Sequence, residues 1–109
     1  LLRSLFALET HKAKKITIVA EKLIQDQIQE ILRKAGATGF SIFDGSGEGS
    51  RGVHRQSIVS DFSIVKIETV IVDPAIVDAI AEQVSAAYFT NYSCIVYFDD
   101  VEVLRAERF

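Results

Sequence analysis

The sequence predicts an α+β domain in which strands and helices follow one another in the order β-α-β-β-α-β. Short runs of β-branched and aromatic residues indicate the strands. Two segments whose apolar residues recur at helical spacing indicate the helices. This order places both helices on one face of an antiparallel sheet, which is the ferredoxin-like arrangement.

The chain of 109 residues is long enough for one domain with its own hydrophobic core. We interpret residues 1–15 as an N-terminal extension and residues 16–109 as the domain. The extension has its apolar residues before most of its charges, the reverse of a signal peptide. No apolar run approaches the ~20 residues that a membrane-spanning helix needs.

The first strand is predicted over residues 16–20, ITIVA, and a helix over 21–35. Gly36 follows the helix, where a left-handed residue commonly ends it. A second strand is predicted over 39–43, GFSIF. The helical face consists of Leu23, Ile24, Ile28, Ile31, Leu32 and Ala35.

The third strand is predicted over residues 62–72 and is apolar on both faces. One face carries Val65, Ile67 and Ile71 with Thr69; the other carries Phe62, Ile64, Val70 and Val72 beside Lys66 and Glu68. Because large exposed apolar patches are rare on monomers, we expect other subunits to cover the sheet face that has no helices.

Asp73 and Pro74 predict the start of a second helix, as the N-cap and the first helical residue. The helix is predicted to reach about Phe89 and a fourth strand to span 93–98. The tail after residue 98 fits either a helical turn or a short fifth strand. The buried stripe of the helix is expected to be Ile76, Val77, Ile80, Val84 and Ala87.

Residues 44–61 connect two predicted hairpin strands and are far longer than a hairpin needs. Their glycines allow backbone N–H groups to converge on an anion, and Arg51 and Arg55 add cationic donors. The segment GEGSRG matches a dinucleotide-binding fingerprint, but no helical pattern follows it, so that function is not expected. Composition alone leaves two interpretations open, a solvated hairpin tip and an anion-binding loop.

The other polar residues exclude several function classes. A net charge of −3 argues against nucleic acid as a partner. The single cysteine, Cys94, excludes an internal disulfide and is interpreted as a small core residue. No metal site is predicted from the histidines or from the acidic turn, and Arg105 and Arg108 are either solvated or reach a ligand on a neighbouring subunit. The residues considered as metal ligands are His11, His54, Asp99, Asp100 and Glu102.

Three stretches resemble the PII-like signalling proteins, specifically the subgroup associated with carboxysomes and bicarbonate transport. They are KKITIVAEK (14–22), KAGATGFSIFDGSGEGSRGV (34–53) and VSAAYFTNYSCIVYFDDVEVL (84–104). The resemblance implies a non-enzymatic homotrimer without a cofactor or metal, with ligand clefts between subunits. The connection at 44–61 would be the flexible T-loop of that family, which changes conformation with the ligand.

The ligands implied by the resemblance are adenine nucleotides (ADP, AMP, ATP or cyclic AMP) and bicarbonate. The implied partner is a bicarbonate transporter or a carboxysome component, which places the protein in the cytoplasm, at carboxysomes or at a membrane transporter. Carried over by position, Gly47, Gly49, Ser50 and Arg51 would face phosphate, and Arg51, His54 and Arg55 an anion such as bicarbonate. The remaining nucleotide-binding residues would be Thr17, Phe40, Ser41, Ile42, Tyr92, Ser93, Cys94 and Ile95.

Two features depart from that family. His54 stands where relatives often have a second arginine, and Cys94 replaces a position that is often glycine. Two alternatives remain on the same fold. One is a small nucleotide-hydrolysing enzyme with His54 as the base, and the other is a CutA-like trimer that is structural or binds metal.

Overall fold

The structure is a computed structural model that describes residues 8–48 and 63–109. It confirms the predicted α+β order and the ferredoxin-like fold. Short 3-10 turns at Lys22–Ile24 and Ala106–Arg108 supplement the main elements. The main elements are β1 (His11–Glu21), α1 (Gln25–Ala35), β2 (Ser41–Ser46), β3 (Ser63–Ile71), α2 (Pro74–Tyr88) and β4 (Cys94–Val103).

The four strands form one antiparallel sheet in the order β2-β3-β1-β4. The central strands β1 and β3 pair along most of their lengths, with Ile18 opposite Ile67. The outer strands are β2 and β4, so the second and the last strand of the chain lie at opposite edges. Residues on β2 and residues on β4 of one chain are therefore separated by the two central strands.

The hydrophobic core lies between the sheet and the two helices. Ile18 and Ile67 contribute from the sheet, Ile28 from α1 and Ile80 from α2, and all four are buried. The predicted alternation of β3 is confirmed, since Val65, Ile67, Thr69 and Ile71 are all buried. In α2 the prediction was wrong at Ala87, which is exposed. Tyr88, at the next position, packs against the core instead.

Several element boundaries differ from the predictions because pairing extends the strands. β1 begins at His11, opposite Val103, so residues 11–15 of the predicted extension belong to the sheet. β4 continues to Val103, and the tail therefore forms no separate fifth strand among the residues that the structure describes. β2 runs to Ser46, so residues 44–46 of the predicted 44–61 connection are paired with β3.

The sheet face away from the helices, here called the open face, combines charged and apolar side chains. Lys15 lies 3.8 Å from Glu68 and 3.8 Å from Asp99, and Lys66 lies 3.5 Å from Glu68. Beside these ion pairs Ile95 is 57% exposed. The open face therefore presents ion pairs and exposed apolar side chains together.

Candidate functional site

Most of the predicted ligand residues that the structure describes fall into two groups at opposite edges of the sheet. Phe40, Ser41 and Ile42 lie where β2 begins, and the segment 92–95 lies where β4 begins. Because β3 and β1 separate these outer strands, one chain does not bring the two groups together. We refer to them as the β2-edge group and the β4-edge group.

The turn that leads into the β2-edge group is fixed by the end of α1. Gly36 has φ of 111°, a left-handed conformation that residues with a side chain adopt only with strain. Its N–H donates to the carbonyl of Arg33, and the N–H of Ala37 donates to that of Leu32. These two bonds form a Schellman motif, which ends the helix and directs the chain toward β2.

Two further contacts hold this turn. The buried hydroxyl of Thr69 donates to the carbonyl of Gly39 at 2.6 Å. The hydroxyl of Thr38 donates to the carbonyl of Arg108 at 2.8 Å, so the tail after β4 packs against the same turn.

The β2-edge group combines an aromatic residue with exposed strand residues. The Arg33 guanidinium lies 5.6 Å from the centre of the Phe40 ring, within cation–π range. Ser41 and Ile42 are exposed at the start of the strand. The group thus combines an aromatic face, a nearby cation and two accessible strand residues.

The β4-edge group is fixed by aromatic and backbone contacts at the end of α2. The rings of Tyr88 and Tyr92 meet edge to face with their centres 5.6 Å apart. The N–H of Ser93 donates to a carboxylate oxygen of Glu21 at 2.6 Å. Ile95 stays largely exposed at the start of the edge strand. Contacts with Tyr88 and Glu21 thus hold Tyr92 and Ser93, while the side chain of Ile95 remains accessible.

Burial raises the pKa of the Cys94 thiol to about 11, and the nearby Glu21 carboxylate acts in the same direction. The pKa of Tyr88 is also raised, first by burial and then by its neighbours Tyr92 and Cys94. Both groups are therefore neutral near pH 7. Cys94 is therefore a half-buried thiol held in its neutral form.

Thr17 is fully buried and lies on the open face of β1, opposite Glu68 on one side and Tyr97 on the other. It therefore belongs to neither edge group. Among the residues that the structure describes, its hydroxyl has no hydrogen-bond partner. An unpaired buried hydroxyl is uncommon in folded proteins.

The predicted loop residues are only partly described. Gly47 follows β2 and is exposed, and a side chain there would meet Ile64 at 3.5 Å, an ordinary contact distance. Gly49, Ser50, Arg51, His54 and Arg55 lie outside the described residues.

Sequence reasoning missed a pair of adjacent residues that end β1 and begin the following turn. Glu21 reaches the β4-edge group through Ser93, whereas the Lys22 ammonium lies 2.5 Å from the Asp44 carboxylate on β2. Each of these two contacts joins residues that are far apart in the sequence, so no local pattern indicates the contacts. The structure thereby adds Glu21, Lys22 and Asp44 to the surroundings of the two edge groups.

A surface concavity of about 660 Å³ lies elsewhere, at the end of the β1–β4 pair. Leu8, Lys12 and Leu104 are among the residues that line it, and it contains none of the predicted ligand residues. The described residues contain no cluster of three or more metal-ligating side chains. Within the same ranges, no helix combines the length and apolar character required to cross a membrane.

The fold is that of a small α+β domain of the ferredoxin-like type. Residues 13–108 match the family model for nitrogen regulatory protein P-II, and this chain belongs to that family. The resemblance to the PII-like proteins is thereby confirmed at the level of the family.

Solved structures agree with this assignment. A structure described as a PII-like signaling protein from Thermus thermophilus is 31% identical, with a TM-score of 0.74, over 93% of this chain and 98% of that one. CPII from Thiomonas intermedia, bound to ADP and bicarbonate, is 24% identical, with a TM-score of 0.78, over 94% and 98%. The same protein bound to ADP, AMP and acetate is also 24% identical, with a TM-score of 0.78, over 93% and 97%.

Proposed function

We propose that this chain is a non-enzymatic signalling protein. It forms a homotrimer and binds an adenine nucleotide, together with bicarbonate, in the clefts between subunits. The observation that carries the proposal is the division of most of the predicted ligand residues between two opposite sheet edges. Such a site is complete only when the β2 edge of one copy meets the β4 edge of another.

A ring of identical subunits satisfies this requirement. In a head-to-tail interface each copy contributes two different surfaces, and a rotation that closes produces as many equivalent clefts as subunits. Both edges have the accessible groups that such an interface needs, since all six residues of β2 and most of β4 are exposed. The exposed apolar side chains Phe43, Ile95 and Tyr97 favour burial against other copies.

The chemistry of the edge groups suits a nucleotide. Phe40 offers an apolar surface for a base, and the Arg33 guanidinium beside it adds a positive charge. The glycines of the loop, with Arg51, supply N–H donors for phosphate, and Arg51, His54 and Arg55 supply cationic donors for bicarbonate. CPII, which has the same fold, was solved with ADP and bicarbonate bound, and this supports that choice of ligands.

The proposed output is a change in the loop between β2 and β3. Glycines allow the unliganded loop many conformations, and contacts with phosphate select one of them. The ordered loop then presents a surface to a bicarbonate transporter or a carboxysome component in the cytoplasm. Through that contact the protein regulates inorganic-carbon uptake or carboxysome function.

Two measurements test the proposal. Light scattering should give the mass of three chains. Calorimetric titration should detect binding of at least one of ADP, AMP, ATP and cyclic AMP, and repeating each titration with bicarbonate tests the second ligand. Absence of binding by all four nucleotides would refute the proposal.

A pair of variants at basic residues tests the phosphate contact within the loop. Arg51→Ala should weaken phosphate-bearing ligands by about 1.5–3 kcal/mol, the value of a charge-assisted hydrogen bond. The control variant Lys12→Ala, at an exposed residue outside the loop and outside both edge groups, should leave the affinity within a factor of about two. Equal affinities for the two variants would remove Arg51 from the proposed site.

A further inference from the structure

The turn between α2 and β4 presents the β4-edge group and is held at both of its ends. Phe89, Thr90 and Asn91 are exposed. At its helical end the N–H of Tyr92 donates to the carbonyl of Tyr88. At its strand end Glu21 bonds to the backbone of Ser93.

Glu21 holds Ser93 through both backbone groups. The Glu21 N–H donates to the Ser93 carbonyl at 3.2 Å, and a Glu21 carboxylate oxygen accepts from the Ser93 N–H at 2.6 Å. The second bond is half-buried and involves a charged acceptor, which makes it stronger than a bond between neutral groups. A side chain on the central strand β1 therefore fixes the entry to the edge strand β4.

We propose that Glu21 is a positioning residue for the β4-edge group, holding Ser93 so that residues 92–95 meet the ligand in one conformation. This inference rests on the proposed nucleotide site. Without the carboxylate the Ser93 N–H loses its acceptor, and the conformational freedom gained at Ser93 would have to be lost again when the ligand binds, which would lower the affinity. Glu21 acts through the backbone of Ser93 and needs no contact with the ligand.

Cys94 provides a reporter that does not depend on nucleotide. It follows Ser93 directly, is half-buried, and lies close enough to Glu21 for the carboxylate to raise the pKa of its thiol. Removing the Glu21 charge lowers that pKa, and releasing the turn exposes the sulfur. Both effects increase the rate at which iodoacetamide alkylates the thiol.

The test compares Glu21→Ala, Glu21→Gln and the matched control Glu82→Ala, an exposed position on α2. We expect Glu21→Ala to raise the Kd for ADP at least about fivefold and to speed alkylation of Cys94 in the absence of nucleotide. Glu21→Gln keeps an acceptor oxygen and should show smaller changes in the same direction. Glu82→Ala should match the unaltered chain in both measurements.

The outcomes separate this inference from the proposed function. If the unaltered chain binds no nucleotide, the proposed function fails. Whether or not nucleotide binds, an unchanged rate of Cys94 alkylation in Glu21→Ala overturns the positioning role of Glu21. If ADP binds, an unchanged Kd in Glu21→Ala overturns it. Should Glu21→Ala fail to fold, Glu21→Gln carries the same test, with an unchanged Kd and an unchanged alkylation rate as the contrary result.

Discussion

Two glycines in the turn before β2 give a matched test of how the β2-edge group is positioned. At Gly36, φ is 111°, and an added Cβ would lie 3.2 Å from the terminal methyl carbon, Cδ1, of Ile76. At Gly39 an added Cβ would meet nothing within 4 Å, and the backbone is not left-handed. Substitution by alanine should therefore strain the backbone at Gly36 but not at Gly39.

The expected effects have opposite signs. In Gly36→Ala, the left-handed backbone costs about 1–2 kcal/mol, and the close approach to a flexible isoleucine end adds a few tenths. In Gly39→Ala, the substitution mainly restricts the unfolded chain, which stabilises the fold by up to about 1 kcal/mol. The two variants should differ by about 1.5–3 kcal/mol in the free energy of unfolding.

Urea unfolding followed by circular dichroism measures this difference. Both variants must be compared at one protein concentration, because assembly would make the midpoint depend on it. With a urea dependence of about 1–2 kcal/mol per molar for a domain of this size, the midpoints should differ by roughly 1 M or more. Equal midpoints would refute the assignment of Gly36 as the strained, helix-ending residue.

Three further predictions concern buried polar groups. Thr69→Val removes the donor to the Gly39 carbonyl and should lower the free energy of unfolding by about 1–3 kcal/mol in urea unfolding, whereas Thr69→Ser should preserve most of it. Thr17→Val replaces a buried hydroxyl that has no described partner and should leave that free energy unchanged or raise it; a loss above about 1 kcal/mol would contradict this. Because burial raises the Cys94 pKa to about 11, above the ~8.5 of an unfolded thiol, stability should be full below pH ~8.5 and fall as the pH approaches 11. When the free energy of unfolding is measured across that pH range, the Cys94→Ala variant should lack this part of the decrease. The same pH dependence in the variant and in the unaltered chain would contradict the prediction.

The regular elements were predictable where the local pattern and the tertiary structure agree. The apolar stripe of α1 and the start of α2 at Asp73 and Pro74 are determined by residues close to one another in the sequence. As predicted for an N-cap, the Asp73 side chain accepts from the N–H of Ala75. The beginning of β1 was not predictable in the same way. Residues 11–15, HKAKK, have low strand propensity and are extended because β4 continues alongside them.

The candidate site was less accessible to sequence reasoning than the fold. Phe40 and Ser93 could be named from the family resemblance, but their placement at opposite edges follows from the strand order and not from their spacing. The bond between Glu21 and Ser93 joins residues 72 positions apart, and Glu21 has no local feature that marks it. Long-range pairs of this kind become visible only when the sheet is assembled.

The central claim is that each ligand cleft combines the β2 edge of one copy with the β4 edge of the next. Mixing two inactive variants tests it most directly. Ser41→Glu places a negative charge on the β2 edge, and Ile95→Glu places one on the β4 edge. Each alone should abolish ADP binding because every cleft then contains one repelling group.

The two variants are co-expressed with separate tags, and the oligomers that carry both tags are isolated. In a closed ring of three that contains both variants, about one cleft in three combines two unaltered edges, whichever variant is present twice. ADP binding should therefore return at about a third of the full stoichiometry. Mixed oligomers that bind no more ADP than either variant alone would contradict the account.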